Sequence, residues 1–215
     1  MLWLAEQEYE RRQIRQIMYS GMIDCVIIAS MLTNDSLVQA LIDGDLPFML
    51  VGRHPTDPRV NYVDADNVNG ARDAVRHLLR LGRTRIGLIN GPQTMIAGVD
   101  RLAGYTQALR ERGLLAQPDL ITDGGFSEAG GYLAMQQLLP RQPDAVFAAS
   151  DAMAMGALRA LREAGRRVPE DVALVGFDDL PFAARIEPPL TTVRQPIHRM
   201  GTMTVETLIE MIEQP

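Results

Sequence analysis

A doubly wound α/β fold with parallel sheets is the architecture this sequence predicts, on three observations. Short, continuously apolar runs recur along the chain, amphipathic stretches separate them, and several of those stretches stop at a glycine suited to closing a helix. An unbroken apolar run, as opposed to an alternating one, marks a strand buried on both faces, as in a parallel sheet covered by helices.

In chain order, Cys25–Ala29 (CVIIA) is the first such run. Ser36–Ile42 then places Leu37, Val38, Leu41 and Ile42 on one helical face, with Asn34 or Asp35 available as its cap. Phe48–Val51 (FMLV) is the next strand. Val68–Leu81 turns Ala71, Ala74, Val75, Leu78 and Leu79 inward; Asp66 stands where its cap belongs and Gly82 where it ends. Ile86–Ile89 (IGLI) leads into Val99–Arg112, which stops at Gly113. Leu120–Thr122 is a shorter strand candidate. Ala145–Ala148 (AVFA) leads into Ala152–Ala164, stopped by Gly165 with Pro169 beyond. Ala173–Phe177 (ALVGF) and the shorter Thr191–Val193 complete the strands, and Ile197–Glu213 carries Met200, Thr204, Leu208 and Met211 at helical spacing. Gly52–Asn61 and Asp178–Leu190, rich in proline and charge, follow strands directly and read as loops. There is no solenoid repeat and no low-complexity linker.

The 215 residues, 47% hydrophobic, allow one domain or two small ones. A net charge of −6, with arginine as the sole basic residue type besides histidine, argues against this chain gripping phosphate backbones. The single Cys25 rules out an internal disulfide and any multi-cysteine zinc site, and its apolar run predicts a buried thiol. Glu6, Glu8 and Glu10 do not fit a secretory signal, and no stretch approaches the ~18 apolar residues that cross a bilayer. The expected compartment is the cytoplasm, with no membrane partner.

In open α/β sheets ligands bind beyond the carboxyl ends of strands. The residues there are Ser30; Gly52 and Arg53; Asn90 and Gly91; Asp123 to Phe126; Ser150 and Asp151; and Asp178 and Asp179. Sugar hydroxyls and nucleobase edges call for carboxylates and arginines in plane, with an aromatic face to stack on. Helix capping alone also explains Ser150 and Asp151. Catalytic signals are weak. His54, His77 and His198 have no metal-ligand spacing, Ala149-Ser150-Asp151 lacks the glycines of a nucleophile elbow, and the adjacent Asp178 and Asp179 are expected to diverge. Asn90-Gly91-Pro92 lacks a phosphate-loop pattern. No catalytic residue, metal or cofactor is expected, and the chain does not read as an enzyme.

A series of strings runs along the chain: Ile23–Ser30, Asp64–Asn67 with Gly70-Ala71, His77–Gly82, Arg101-Leu102-Ala103-Gly104-Tyr105, Pro143–Phe147 and Ser150–Ala157. The strongest are Val168–Val172 with Val175-Gly176-Phe177-Asp178-Asp179, and Pro189–Val193 with Gln195-Pro196. In this order they resemble the effector-binding core of the LacI/GalR family of bacterial transcriptional repressors. The resemblance implies a periplasmic-binding-protein-like type I fold: two doubly wound parallel-sheet lobes with a ligand cleft between them. One lobe would be residues 1–65 plus 196–215 and the other 66–195. It implies ligand contacts from Arg101 as a hydrogen-bond fork, Phe126 as a stacking face and Asp178 as an acceptor, with Ser150, Asp151, Asp64 and Arg53 as secondary candidates. The plainer alternatives are a surface ion pair for Arg101, a loop anchor for Phe126 and a turn former for Asp178.

The implied partners are a small polar effector, sugar or nucleobase-like, and a second copy of the chain. DNA would be reached only through a helix-turn-helix headpiece, which this sequence lacks. The family's first strand and its helix are also missing, with Met1–Ala5 aligning to the second strand, and so is the final returning strand. The N-terminal lobe is therefore expected to be incomplete. A stand-alone sugar-binding module without DNA-binding output is the alternative.

Overall fold

The computed structural model describes residues 20–29, 32–33, 36–44, 46–54, 57 and 59–213. Ser30, the Asn34 or Asp35 cap and the Met1–Ala5 alignment lie outside them. The described residues fall into two compact units, one within Met1–Ala65 and Pro196–Pro215, the other Asp66–Gln195.

The first unit contains a parallel sheet in the order β1 (Val26–Ile28), β2 (Phe48–Val51), β3 (Tyr62–Val63). Helix α1 (Ser36–Ile42) packs Leu37, Val38 and Leu41 with Ile28, Leu50 and Val60, the stripe expected from its spacing. The last helix, Ile197–Glu213, lies against β2 and β3 and buries Thr204 and Leu208. Cys25 departs from expectation. It precedes β1, not within it, and is half-buried, because the strand is only three residues long.

The Asp66–Gln195 unit is the more regular. Its parallel sheet has the order β5 (Ile121–Asp123), β4 (Ile86–Asn90), β6 (Ala145–Ala148), β7 (Ala173–Asp178), β8 (Thr191–Arg194). β4 and β6 are buried at every position, which explains their unbroken apolar sequences. Helices α2 (Asn67–Arg80) and α3 (Ile96–Arg110) pack as one pair, and α4 (Glu128–Leu138) and α5 (Asp151–Glu163) as another; the helix at Ile197–Glu213 is α6. The path β4–α3–β5 steps one way along the sheet and β6–α5–β7 the other, so right-handed crossovers put α3 and α5 on opposite faces. Between β4 and β6, therefore, lies a topological switch point, the place where such sheets open a crevice for ligands. Leu88, Phe147, Phe177, Met135 and Met153 fill the core, and Tyr105 donates its buried hydroxyl to the Ile86 carbonyl at 2.7 Å.

Helix ends follow sequence chemistry. Asp66 caps α2 through the Asn69 N–H at 3.1 Å, and Ser150 caps α5 through the Met153 N–H at 3.2 Å. Helix α4 was not foreseen, since Gly130-Gly131 inside it reads as loop. Those glycines sit where α4 meets neighbouring backbone: a Cβ on Gly131 would lie 2.2 Å from the Met153 carbonyl oxygen, and one on Gly156 2.0 Å from that of Glu128. The α4–α5 crossing thus closes backbone on backbone.

Candidate functional site

Two strand ends and a helix bring three side chains together beside the switch point. Arg101 rises from the second turn of α3 into the interior and is 4% exposed. Its Nε donates to Asn67 Oδ1 at 2.9 Å, Nη1 donates to the Ala149 carbonyl at the end of β6, and Nη1 lies 3.6 Å from Asp178 Oδ1. The guanidinium lies over the Phe177 ring, Cζ 3.8 Å from its centroid, with the Phe126 centroid at 5.7 Å. Two aromatic faces and a carboxylate compensate a charge that would otherwise be costly to bury.

Asp178 ends β7. Its Oδ1 accepts from Gln195 Nε2 at 2.6 Å. Burial pushes its carboxyl above the ordinary range, opposed by Arg101 and the Gln195 bond. Asp179 turns away to pair with the exposed Arg194, so the two adjacent carboxylates diverge as expected. Phe126 follows β5, and Gly91 makes room for it: a Cβ there would sit 2.0 Å from the ring. Of the four described non-glycine residues with positive φ, three are here: Phe126 at 53°, Asp178 at 123° and Asp179 at 59°. Left-handed backbone is unfavourable for such residues, and its concentration at two strand ends marks a place shaped for something other than stability.

The secondary candidates divide. Ser150 is buried and holds its helix cap. Asp151 is fully buried, with Oδ2 accepting from the Leu180 N–H at 2.8 Å and Oδ1 from the Thr192 hydroxyl at 2.6 Å. Gly176 admits it, since a Cβ there would lie 2.3 Å from Asp151 Oδ1. This carboxylate pins the β7–β8 loop to β8. Asp64 and Arg53 belong to the other unit, where Asp64 Oδ1 accepts from the Ala65 N–H at 2.8 Å. The structure thus brings together Arg101, Phe126 and Asp178, with Ser150 and Asp151 on the adjoining strand end.

Sequence reasoning missed Asn67, Phe177 and Gln195. Asn67 was legible: it falls four residues before Ala71, on the helix stripe that is otherwise apolar, and a polar residue on a buried stripe needs a polar partner. Phe177 carried no signal beyond that of a core residue.

Burial also raises the Asp151 carboxyl, against the Thr192 and Leu180 hydrogen bonds. A carboxyl whose folded pKa is raised binds its proton more tightly folded than unfolded. Its contribution to stability is therefore full at low pH and lost as pH rises through the raised value. In Asp151→Asn, the amide oxygen can keep the Leu180 N–H while the rotatable Thr192 hydroxyl accepts from the amide nitrogen. The variant is expected to melt at or above wild type at neutral pH, its advantage growing as the pH rises above the ordinary carboxyl value of about 4. Asp151→Ala, which orphans both donors, is expected to cost ~2–4 kcal/mol. Melting curves across that range check both, and an Asn variant as damaged as the Ala one would refute the assignment.

A family model described as a periplasmic binding protein-like domain matches residues 75–215. The chain is 45% identical over 194 residues to the HTH-type transcriptional regulator CelR of Thermobifida fusca, covering 88% of this chain and 57% of CelR. Among solved structures, a transcriptional regulator CelR–cellobiose complex superposes with a TM-score of 0.93 at 42% identity, covering 96% of this chain and 64% of that one. A regulatory protein of the LacI family from Chloroflexus aggregans superposes at 0.90 with 33% identity, covering 98% and 76%. The chain therefore spans just over half the length of the curated relative.

Proposed function

The chain belongs to the LacI family of transcriptional regulators, and from that premise we propose that it senses a small hydroxyl-rich effector, a sugar, through Arg101, Phe126 and Asp178. The observation that carries the reading is the buried Arg101 guanidinium, set over the Phe177 ring, near the Phe126 ring and beside a carboxylate at a sheet switch point. Phe126 covers the apolar face of a sugar ring, Asp178 accepts from its hydroxyls, and Arg101 supplies the positive charge beneath them. Ser150 and Asp151 support that floor from the end of the adjoining strand, and Asp64 and Arg53 stay secondary candidates. A solved relative in complex with cellobiose supports the sugar class.

In this reading the chain is not an enzyme. It works in the cytoplasm as a homodimer, and DNA is contacted by the part of such regulators that this chain does not span. Among the described residues no helix is long and apolar enough to cross a membrane. A ligand switches such a regulator only through unequal affinity for two arrangements of the protein.

Calorimetric titration with cellobiose, other di- and monosaccharides and nucleosides tests the proposal. At least one sugar is expected to bind, and Asp178→Asn, losing a charge-assisted hydrogen bond, is expected to bind it ~10–100-fold more weakly. No binding across the panel would sink the sugar reading; equal binding by the variant would sink the site.

A further inference from the structure

Resting on that sugar-binding reading, we infer that Asn67 and Gln195 are positioning residues that hold the Arg101–Asp178 pair and tie it to both places where the chain passes from one unit to the other. The boundary falls between Ala65 and Asp66 and again between Gln195 and Pro196. Asn67, just past the first crossing, is 4% exposed and accepts from Arg101 Nε at 2.9 Å. Gln195, the last residue before the second, donates its side-chain amide to Asp178 Oδ1 at 2.6 Å and its backbone N–H to the Asp178 carbonyl at 3.3 Å. Each member of the ion pair is thus bonded to a different crossing.

The residue types suit the task. A guanidinium is a planar fork, so fixing Nε fixes the plane in which the remaining donors point. That demands an acceptor at position 67, and a buried one. The helix itself makes no such demand there, because Asp66 already supplies the cap of α2 through the Asn69 N–H. At position 195 the demand is reversed: a carboxylate neighbour needs a donor, and an amide provides one without adding charge. Gln195 also extends the β7–β8 ladder past the Asp178↔Arg194 pair, so its backbone and side chain grip the same residue. A ligand drawing on either Asp178 or Arg101 therefore acts on the segment after Ala65 and the segment before Pro196 together.

Hydrogen exchange, read by mass spectrometry on the unliganded chain, tests this wiring. Arg101→Met, which keeps the side-chain volume, is expected to speed exchange ~10-fold in peptides spanning residues 67–71 and 192–195 alike, leaving the helix Glu128–Leu138 at wild-type rates. Asn67→Ala is expected to do so at the first segment, and Asn67→Asp, which keeps an acceptor for Nε, to restore it. Unchanged exchange at either crossing in Arg101→Met, or no difference between Ala and Asp at position 67, overturns the inference. Cellobiose titration adds a second reading: affinity is expected to fall ~10-fold in both Asn67→Ala and Gln195→Ala. Unchanged affinity in both overturns the inference as well. A wild type that binds no sugar sinks the sugar reading and leaves the exchange result to decide the positioning roles.

Discussion

Arg101→Ala is expected to lower the stability of the Asp66–Gln195 unit by ~3–5 kcal/mol and to abolish effector binding, because it breaks a buried pair by removing one partner. The loss has three sources. Asp178 keeps its place with its nearest cation gone, and burial already pushes its carboxyl upward. The Ala149 carbonyl and Asn67 Oδ1 lose the donor that satisfies them. A gap opens between Phe126 and Phe177, whose rings lie 5.7 and 3.8 Å from the guanidinium carbon. The double variant Arg101→Met with Asp178→Asn replaces the pair by an apolar chain and a neutral amide. It is expected to recover most of the stability and none of the binding, since well-packed neutral replacements of buried ion pairs are often tolerated. Urea denaturation of the three proteins separates the effects. An alanine variant within ~1 kcal/mol of wild type would mean that the guanidinium contributes little to the fold.

The second large effect concerns the α4–α5 crossing. Gly156→Ala is expected to cost ~3 kcal/mol, a fall in Tm of roughly 6–12 °C. The added methyl would meet the Glu128 carbonyl oxygen at 2.0 Å and the Tyr132 nitrogen at 2.6 Å, both backbone atoms that cannot rotate aside. One of the two helices has to move, and Met135, Leu138 and Met153 in the core beneath move with it. Gly201→Ala is the matched control. It lies within α6, exposed, with nothing within 4 Å of its would-be Cβ, and gains ~0.5–1 kcal/mol from reduced backbone freedom in the unfolded chain. Thermal melts should therefore shift in opposite directions for the same chemical change. Equal shifts would remove the steric argument.

Legibility in the sequence tracked burial. The strands that are buried at every residue, β4 and β6, were visible as unbroken apolar runs, because full burial leaves no polar position to interrupt them. The two-residue β3 was invisible, being shorter than any pattern that could announce it, and its Tyr62 is 49% exposed. Helix α4 was hidden by Gly130-Gly131, which local propensity treats as a break and the tertiary contact with α5 requires. Helix α3 begins at Ile96, one turn before Val99, because a buried Ile96 and Ala97 follow an extended Met95. Within the candidate site, Phe126 and Asp178 were legible from their place after strands, and Arg101 from a family string. What stayed hidden was their mutual dependence. No sequence pattern states that an arginine lies over the Phe177 ring, or that Asn67 holds its Nε, because those facts depend on chain segments remote in sequence.

The discontinuous unit has a consequence for the order of events during synthesis. Its sheet, β1 to β3, leaves the ribosome early, but the helix that packs against β2 and β3 begins at Ile197, after the whole of the Asp66–Gln195 unit has been made. The inserted unit carries its own core and all five of its strands in one continuous stretch, so nothing delays it. The Arg101–Asp178 pair is then in place before α6 reaches its sheet. The fold is completed from the Asp66–Gln195 unit outward, and β1 to β3, made before it, are covered after it.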